Sequence, residues 1–156
     1  MTPAINLAKK KKIEFNVHAY EHDPNAPSYG EEAAQKIGIS PNRVFKTLVI
    51  ATEQNHLAVC IVPVCTTLDL KLAAKTLQAK RATMADARKV QSTTGYVLGG
   101  VSPLGQKKQL PTLIDDSAQS QETIFVSAGK RGLEIELKPI DLQGLTRAQF
   151  APIAKT

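Results

Sequence analysis

The most informative residue in the sequence is a lysine set in the middle of an apolar run. In the stretch from Val44 to Ile50, alternation puts Lys46 on one face with Val44, Leu48 and Ile50. Phe45, Thr47 and Val49 fall on the other. Both faces are mostly apolar, so a strand covered on each side is predicted. A lysine there must snorkel, pair with an acid, or face a cavity. The alternative is an edge-strand lysine that blocks aggregation.

Two glycine-rich segments could complement it. Residues 99–108 carry Gly99, Gly100, Ser102 and Gly105 and end in Lys107 and Lys108. Glycine lets backbone N–H groups approach a ligand closely, so such a loop could hold a carbonyl oxygen or a phosphate. A surface loop with solvated lysines is the other reading. Residues 127–132 place the Ser127 hydroxyl at a strand end, then Lys130 and Arg131 in a turn flanked by Gly129 and Gly132. That segment also reads as a plain β-turn. All three segments set glycine or base beside strand ends, which says more than any one alone.

Other chemistry is thinly represented. Cys60 and Cys65 sit in the apolar run Leu57–Cys65, which reads as a buried strand where cysteine is a small hydrophobe. Two cysteines make no disulfide framework, and their spacing without a second pair is no zinc signature. His18 and His22 are four apart on a predicted strand and have no obvious co-ligands, so no metal site is expected; His56 reads as surface. Glu134 and Glu136 alternate with Ile135 and Leu137, as on a solvated strand face, and Asp115–Asp116 reads as a loop pair. The G-x-S-x-G elbow, the G-x-G-x-x-G turn and the P-loop are absent, which argues against triad hydrolases, dinucleotide oxidoreductases and phosphotransferases.

Elements must position these residues. The chain has 156 residues, 42% hydrophobic and 22% charged, with a formal net charge of +6. That is the composition of one globular domain, here residues 1–156, with an anionic partner suggested. Lys71, Lys75, Lys80, Arg81, Arg88 and Lys89 could track a phosphate backbone. Aromatic residues at 4% are too few for a sheet of base-stacking rings. The longest apolar run, Leu57–Cys65, falls far short of the roughly 20 residues that span a bilayer, and no signal peptide is evident, so a cytoplasmic protein is expected.

Helices are predicted at 3–11, 31–37, 67–77 and 86–92, with a weakly helical tail at 141–153. Strands are predicted at 13–22, 44–52, 56–64, 113–114, 123–127 and 133–137, the first with Ile13, Phe15, Val17 and Ala19 as its buried face. Interspersed elements with two hairpin-like regions indicate a mixed α/β (α+β) domain with a largely antiparallel sheet.

Set side by side, several segments resemble the YbaK/EbsC family of aminoacyl-tRNA deacylases. These are residues 20–23 (YEHD), 44–48 (VFKTL), 68–71 (LDLK), 84–86 (MAD), 94–108 (TGYVLGGVSPLGQKK), 110–112 (LPT) and 127–135 (SAGKRGLEI). The resemblance implies a curved, mostly antiparallel sheet with flanking helices, like the editing insertion of bacterial prolyl-tRNA synthetases. It implies hydrolysis in trans of the ester of mischarged Cys-tRNA(Pro), with Cys-tRNA(Cys) as a further candidate substrate, beside prolyl-tRNA synthetase and with no cofactor. The alternatives are Ala-tRNA(Pro), as in the sister branch, or a non-catalytic tRNA- or synthetase-binding module. The family's lysine falls on Lys46, and its pocket glycines on Gly99 and Gly100, whose N–H groups would stabilise the oxyanion. Tyr20, Ser127, Ser102 and Glu134 would meet the substrate, and Lys107, Lys108, Lys130 and Arg131 the tRNA. Glu134 stands where the nearest relatives are expected to carry aspartate. In this branch the substrate's own thiol is held to attack the ester; attack by water is the alternative.

Overall fold

Proline fixes the first turn. Pro3 opens helix α1 (Pro3–Lys10), and the Thr2 side chain caps it by accepting the Ile5 N–H. The computed structural model describes residues 1–26 and 29–156. After α1 come β1 (Phe15–Ala19), α2 (Tyr29–Ile37), β2 (Phe45–Thr52), β3 (Leu57–Pro63), β4 (Thr67–Leu68) and α3 (Leu70–Thr76). Then follow β5 (Ala82–Met84), α4 (Ala87–Thr94), β6 (Thr112–Asp115), β7 (Ile124–Lys130), β8 (Leu133–Leu137), α5 (Pro139–Thr146), β9 (Gln149–Ala151) and β10 (Ala154–Lys155).

Two sheets carry the fold, with β4 and β10 as a small separate pair. One sheet has the order β1-β8-β7 and the other β5-β2-β3-β6-β9. Most pairings are antiparallel, as expected; β3–β6 and β6–β9 are parallel. The main core packs Ile124, Val126 and Ile135 of the first sheet against Phe45, Val49 and Ile61 of the second, closed by Ile5 and Ala8 of α1. A second core lies under α3, and a small third one joins Ala33 and Ala34 of α2 to Val44 and Phe125.

Several expectations need correction. The segment 67–77 is a short strand followed by a helix, because the Asp69 carboxylate caps α3 by accepting the Lys71 and Leu72 N–H groups. The tail is helical only to Thr146, where Arg147 turns left-handed, and then adds β9 and β10. Asp115 is no loop residue: its buried carboxylate accepts the N–H groups of Ser117, Ile153 and Ala154. Cys60 is buried and its thiol is pushed up to about 12 by desolvation, but Cys65 lies beyond β3 and is exposed.

The first strand also differs. Val17 and Ala19 are exposed, since β1 is the outer strand of its sheet. His18 on the opposite face packs on the Phe125 ring at 5.1 Å and meets Glu136 at 2.9 Å. That face of β8 is therefore covered rather than solvated. Glu136 is half-buried among His18, Arg43 and Thr123, and Glu134 is buried.

Candidate active site

A cleft opens where two strands part. Besides their shared core, the two sheets are joined among the described residues by one parallel backbone bridge, between Val44 and Phe125. Beyond it β7 leaves β2 and enters a bulge between Ser127 and Lys130. On its other flank β5 reaches only Ile50–Thr52 of β2. Among the described residues the stretch Phe45–Leu48 is thus paired to β3 alone, and its other edge faces a cavity of about 370 Å³. Because the cavity opens on a strand edge, consecutive residues of β2 line it regardless of which face their side chains take.

Polar groups converge there. Lys46, Tyr20, Ser127, Glu134, Lys130 and Arg131 all line the cleft, with Thr47 beside them. Lys46 Nζ donates to the Thr66 carbonyl at 2.8 Å, which fixes the head and leaves ammonium protons for a ligand. Ser127 Oγ accepts the Gly129 N–H at 3.2 Å, so its own proton is free to donate elsewhere. Burial pushes the Glu134 carboxyl up to about 8, so it is mostly protonated near pH 7. Tyr20 is raised by burial and by the Glu134 charge.

The glycine loop closes one side. Gly99, at φ +90°, lines the cleft with Leu98 and Val101. Gly100 does not: its N–H is spent on the Val97 carbonyl, and it is buried against the Lys130 backbone. What the geometry gives it is close packing against Lys130, with its N–H engaged inside the loop. Ser102 is also away from the cleft and fully buried, accepting the Leu104 N–H. Tyr96 OH donates to the Leu104 carbonyl, and burial raises its phenol to about 12. Lys107 and Lys108 close α4 through N–H bonds to Thr94 and Thr93, and they stand outside the cleft lining.

A relay that sequence reasoning missed stands behind Arg131. Its guanidinium meets His22 Nε2 at 3.1 Å, and His22 Nδ1 meets Glu32 Oε1 at 2.7 Å. Glu32 Oε2 also accepts the Asp23 N–H. Burial alone would raise Glu32, but that N–H and His22 outweigh it and hold the carboxyl low. Periodicity on α2 gives no warning of this, since a glutamate in a first helical turn is ordinary. Thr47, Leu48, Leu98 and Val101 were missed too, because nothing in their types marks a cleft. A larger cavity of about 470 Å³ beside Lys11 and Arg147 has its glutamines occupied internally: Gln106 bonds the Ser102 carbonyl and Gln109 the Thr146 carbonyl.

The cleft offers cations for phosphate or ester oxygens, a protonated carboxyl, hydroxyls and a glycine backbone. Among the described residues its lining has no cysteine or histidine, and no group of three or more His, Cys, Asp or Glu side chains could hold a metal ion. No helix among those residues is long and apolar enough to cross a membrane.

Comparison with known proteins agrees with this arrangement. A relative from Enterococcus faecalis, named "Putative Cys-tRNA(Pro)/Cys-tRNA(Cys) deacylase EbsC", is 38% identical over 97% of this chain and 92% of its own. The uncharacterized protein YwhH of Bacillus subtilis is 31% identical over 72% of this chain and 71% of its own. A solved structure described as "a putative trans-editing enzyme for prolyl tRNA synthetase" shares the fold, with a TM-score of 0.87 at 22% identity over 99% of this chain and 96% of that one. Residues 23–145, which contain nearly all of the cleft, match the aminoacyl-tRNA editing domain, and the chain belongs to that family.

Proposed function

We propose that residues 1–156 act as one trans-editing domain that hydrolyses Cys-tRNA(Pro), in partnership with prolyl-tRNA synthetase. The observation that carries this reading is the convergence of Lys46, Glu134, Ser127 and Gly99 on one cleft of an editing-family chain. Cysteine and proline are similar in bulk, so one synthetic pocket separates them weakly and a second sieve is useful.

The terminal adenosine enters past Lys130 and Arg131, which sit at the exposed rim. Lys46, held by Thr66, meets the terminal phosphate or the ester oxygen. The substrate's α-ammonium faces Glu134, whose carboxylate form a nearby cation favours. Ser127 and Tyr20 fix the ribose and aminoacyl groups. The Gly99 backbone N–H, on the cleft wall, is the donor assigned to the developing charge of the ester carbonyl.

No protein side chain is needed as the nucleophile. Water bonds to the carbonyl carbon while the acyl–ribose C–O bond breaks, giving cysteine and tRNA directly; the substrate thiol in the same place gives a four-membered cysteine thiolactone, which a later water opens to cysteine. The nucleophile's proton passes to the ribose oxygen. Internal attack gains from proximity. The ester is already activated, so positioning and charge stabilisation suffice.

The test is release of labelled cysteine from Cys-tRNA(Pro) by the wild type and by Lys46→Ala, with Ala-tRNA(Pro) in parallel. The wild type releases cysteine faster than alanine. Lys46→Ala loses roughly 10²–10³-fold in rate with an unchanged melting temperature. Binding of tRNA without cleavage would overturn the enzymatic reading, and faster release of alanine would move the chain to the sister activity.

A further inference from the structure

Thr47 carries a contradiction that the fold does not resolve. Its Oγ1 is the one buried side-chain polar atom without a hydrogen-bond partner among the described residues. A buried unsatisfied hydroxyl costs stability, so one in a native structure needs a reason. Valine would fill the same volume without that cost. Thr47 itself lines the cleft, so this hydroxyl sits just beneath the cleft wall rather than deep in a sealed core.

Its place in the strand says what it meets. Thr47 shares a face of β2 with Phe45 and Val49, both buried in the main core, where Val101 also packs. Lys46 and Leu48 point to the opposite face. On β7 and β8, the register sets Ser127 opposite Glu134, while Val126 and Ile135 pair on the main-core face. The cleft therefore has a polar side, with Lys46, Ser127 and Glu134, and an apolar side, with Phe45 and Val101. Thr47 supplies the polar side chain on the apolar side. Its backbone is directed into the gap as well. Val49 gives its carbonyl to Ala85 on the β5 flank, and strand alternation turns the backbone groups of Thr47 to that same, unpaired flank.

We infer that Thr47 is a specificity-determining residue, whose hydroxyl hydrogen-bonds the polar side-chain group of a small aminoacyl substrate. This inference rests on the deacylase reading. Ammonium and ribose stay on the charged side of the cleft, and the amino-acid side chain passes under Val101 to Thr47. A buried group built to bond a substrate heteroatom penalises the analogue that lacks it, because the hydroxyl then stays unpaired. Thr47 thus favours a thiol- or hydroxyl-bearing side chain over a bare methyl.

The experiment measures kcat/KM on Cys-tRNA(Pro) and Ala-tRNA(Pro) for the wild type, Thr47→Val and Thr47→Ser. The cysteine-to-alanine ratio falls about five- to tenfold in Thr47→Val and stays near the wild-type value in Thr47→Ser. A ratio unchanged in Thr47→Val overturns the inference, whether or not both rates fall together. Calorimetric binding of two non-hydrolysable adenosines, carrying cysteine or alanine through a 3′ amide, reads the same preference without catalysis. If the wild type cleaves neither tRNA, the deacylase reading fails, and the adenosine pair alone decides. Preference lost in Thr47→Val then supports the inference, and preference absent or unchanged overturns it.

Discussion

Glu134 shows how a residue's surroundings set its charge. On alternation alone it belongs to a solvated face, yet it is buried opposite Ser127 and its carboxyl is raised from 4.5 to about 8. The sign of the consequence follows from linkage. Below pH 4.5 both folded and unfolded forms are protonated and there is no cost. Above it the unfolded chain ionises while the folded one keeps its proton, so stability falls as pH rises towards 8. Glu134→Gln removes this slope. Urea midpoints at pH 5 and pH 8 will show the wild type losing on the order of a few kcal/mol relative to the variant at the higher pH. Equal slopes for the two proteins would mean that Glu134 is ionised in the fold. Lys46 contrasts with it. Its type and apolar setting marked it from sequence, while its bond to Thr66, twenty residues on, did not show there.

At the scale of elements, small residues and buried acids hold the frame of the cleft. Gly100 was marked as a functional glycine, and the structure makes it a packing residue: a Cβ there would lie 2.8 Å from the Lys130 Cα. Gly100→Ala forces the loop off the β7–β8 turn and costs about 1–3 kcal/mol, measured by chemical denaturation, with loss of cleavage even where the chain still folds. Wild-type stability and activity would show that the loop yields freely. Asp115 binds the end of the chain to β6. Asp115→Ala strands three N–H groups and costs about 2–4 kcal/mol. Hydrogen exchange will show the Ile153 and Ala154 amides losing protection first. Protection unchanged at those two amides would assign the end of the chain to other contacts. Strand and helix identity was readable wherever periodicity was long, as in β2, β3 and β8. It missed a boundary where a local cap sets the helix start, as Asp69 does for α3, and it failed where a segment was too short to show a period, as in β5, β9 and β10.

The whole molecule carries a charge of +6, and the arrangement of that charge matters more than its sum. Of the four basic residues assigned to tRNA, Lys130 and Arg131 stand at the cleft, and Lys107 and Lys108 at the end of α4. Affinity for uncharged tRNA will fall with salt. Replacing Lys130 and Arg131 with alanine will lower the log–log slope by about 1–2 and raise KM, while replacing Lys107 and Lys108 will alter KM less. Equal effects from the two pairs would place the RNA across both sites. By itself the sequence determined the mixed α/β class and most elements, and marked Lys46, Gly99 and Ser127, with Tyr20 and Glu134 added by the family resemblance, because strand period, glycine spacing and shared motifs are local properties. Tertiary structure alone decided that β2 and β7 part after a single bridge and so open a cleft. It also decided that Gly100 and Ser102 are buried outside the cleft lining, that Glu134 is buried, and that the Thr47 hydroxyl has no partner among the described residues. These depend on which strands meet and where their pairing stops, a balance of long-range contacts that no local pattern encodes.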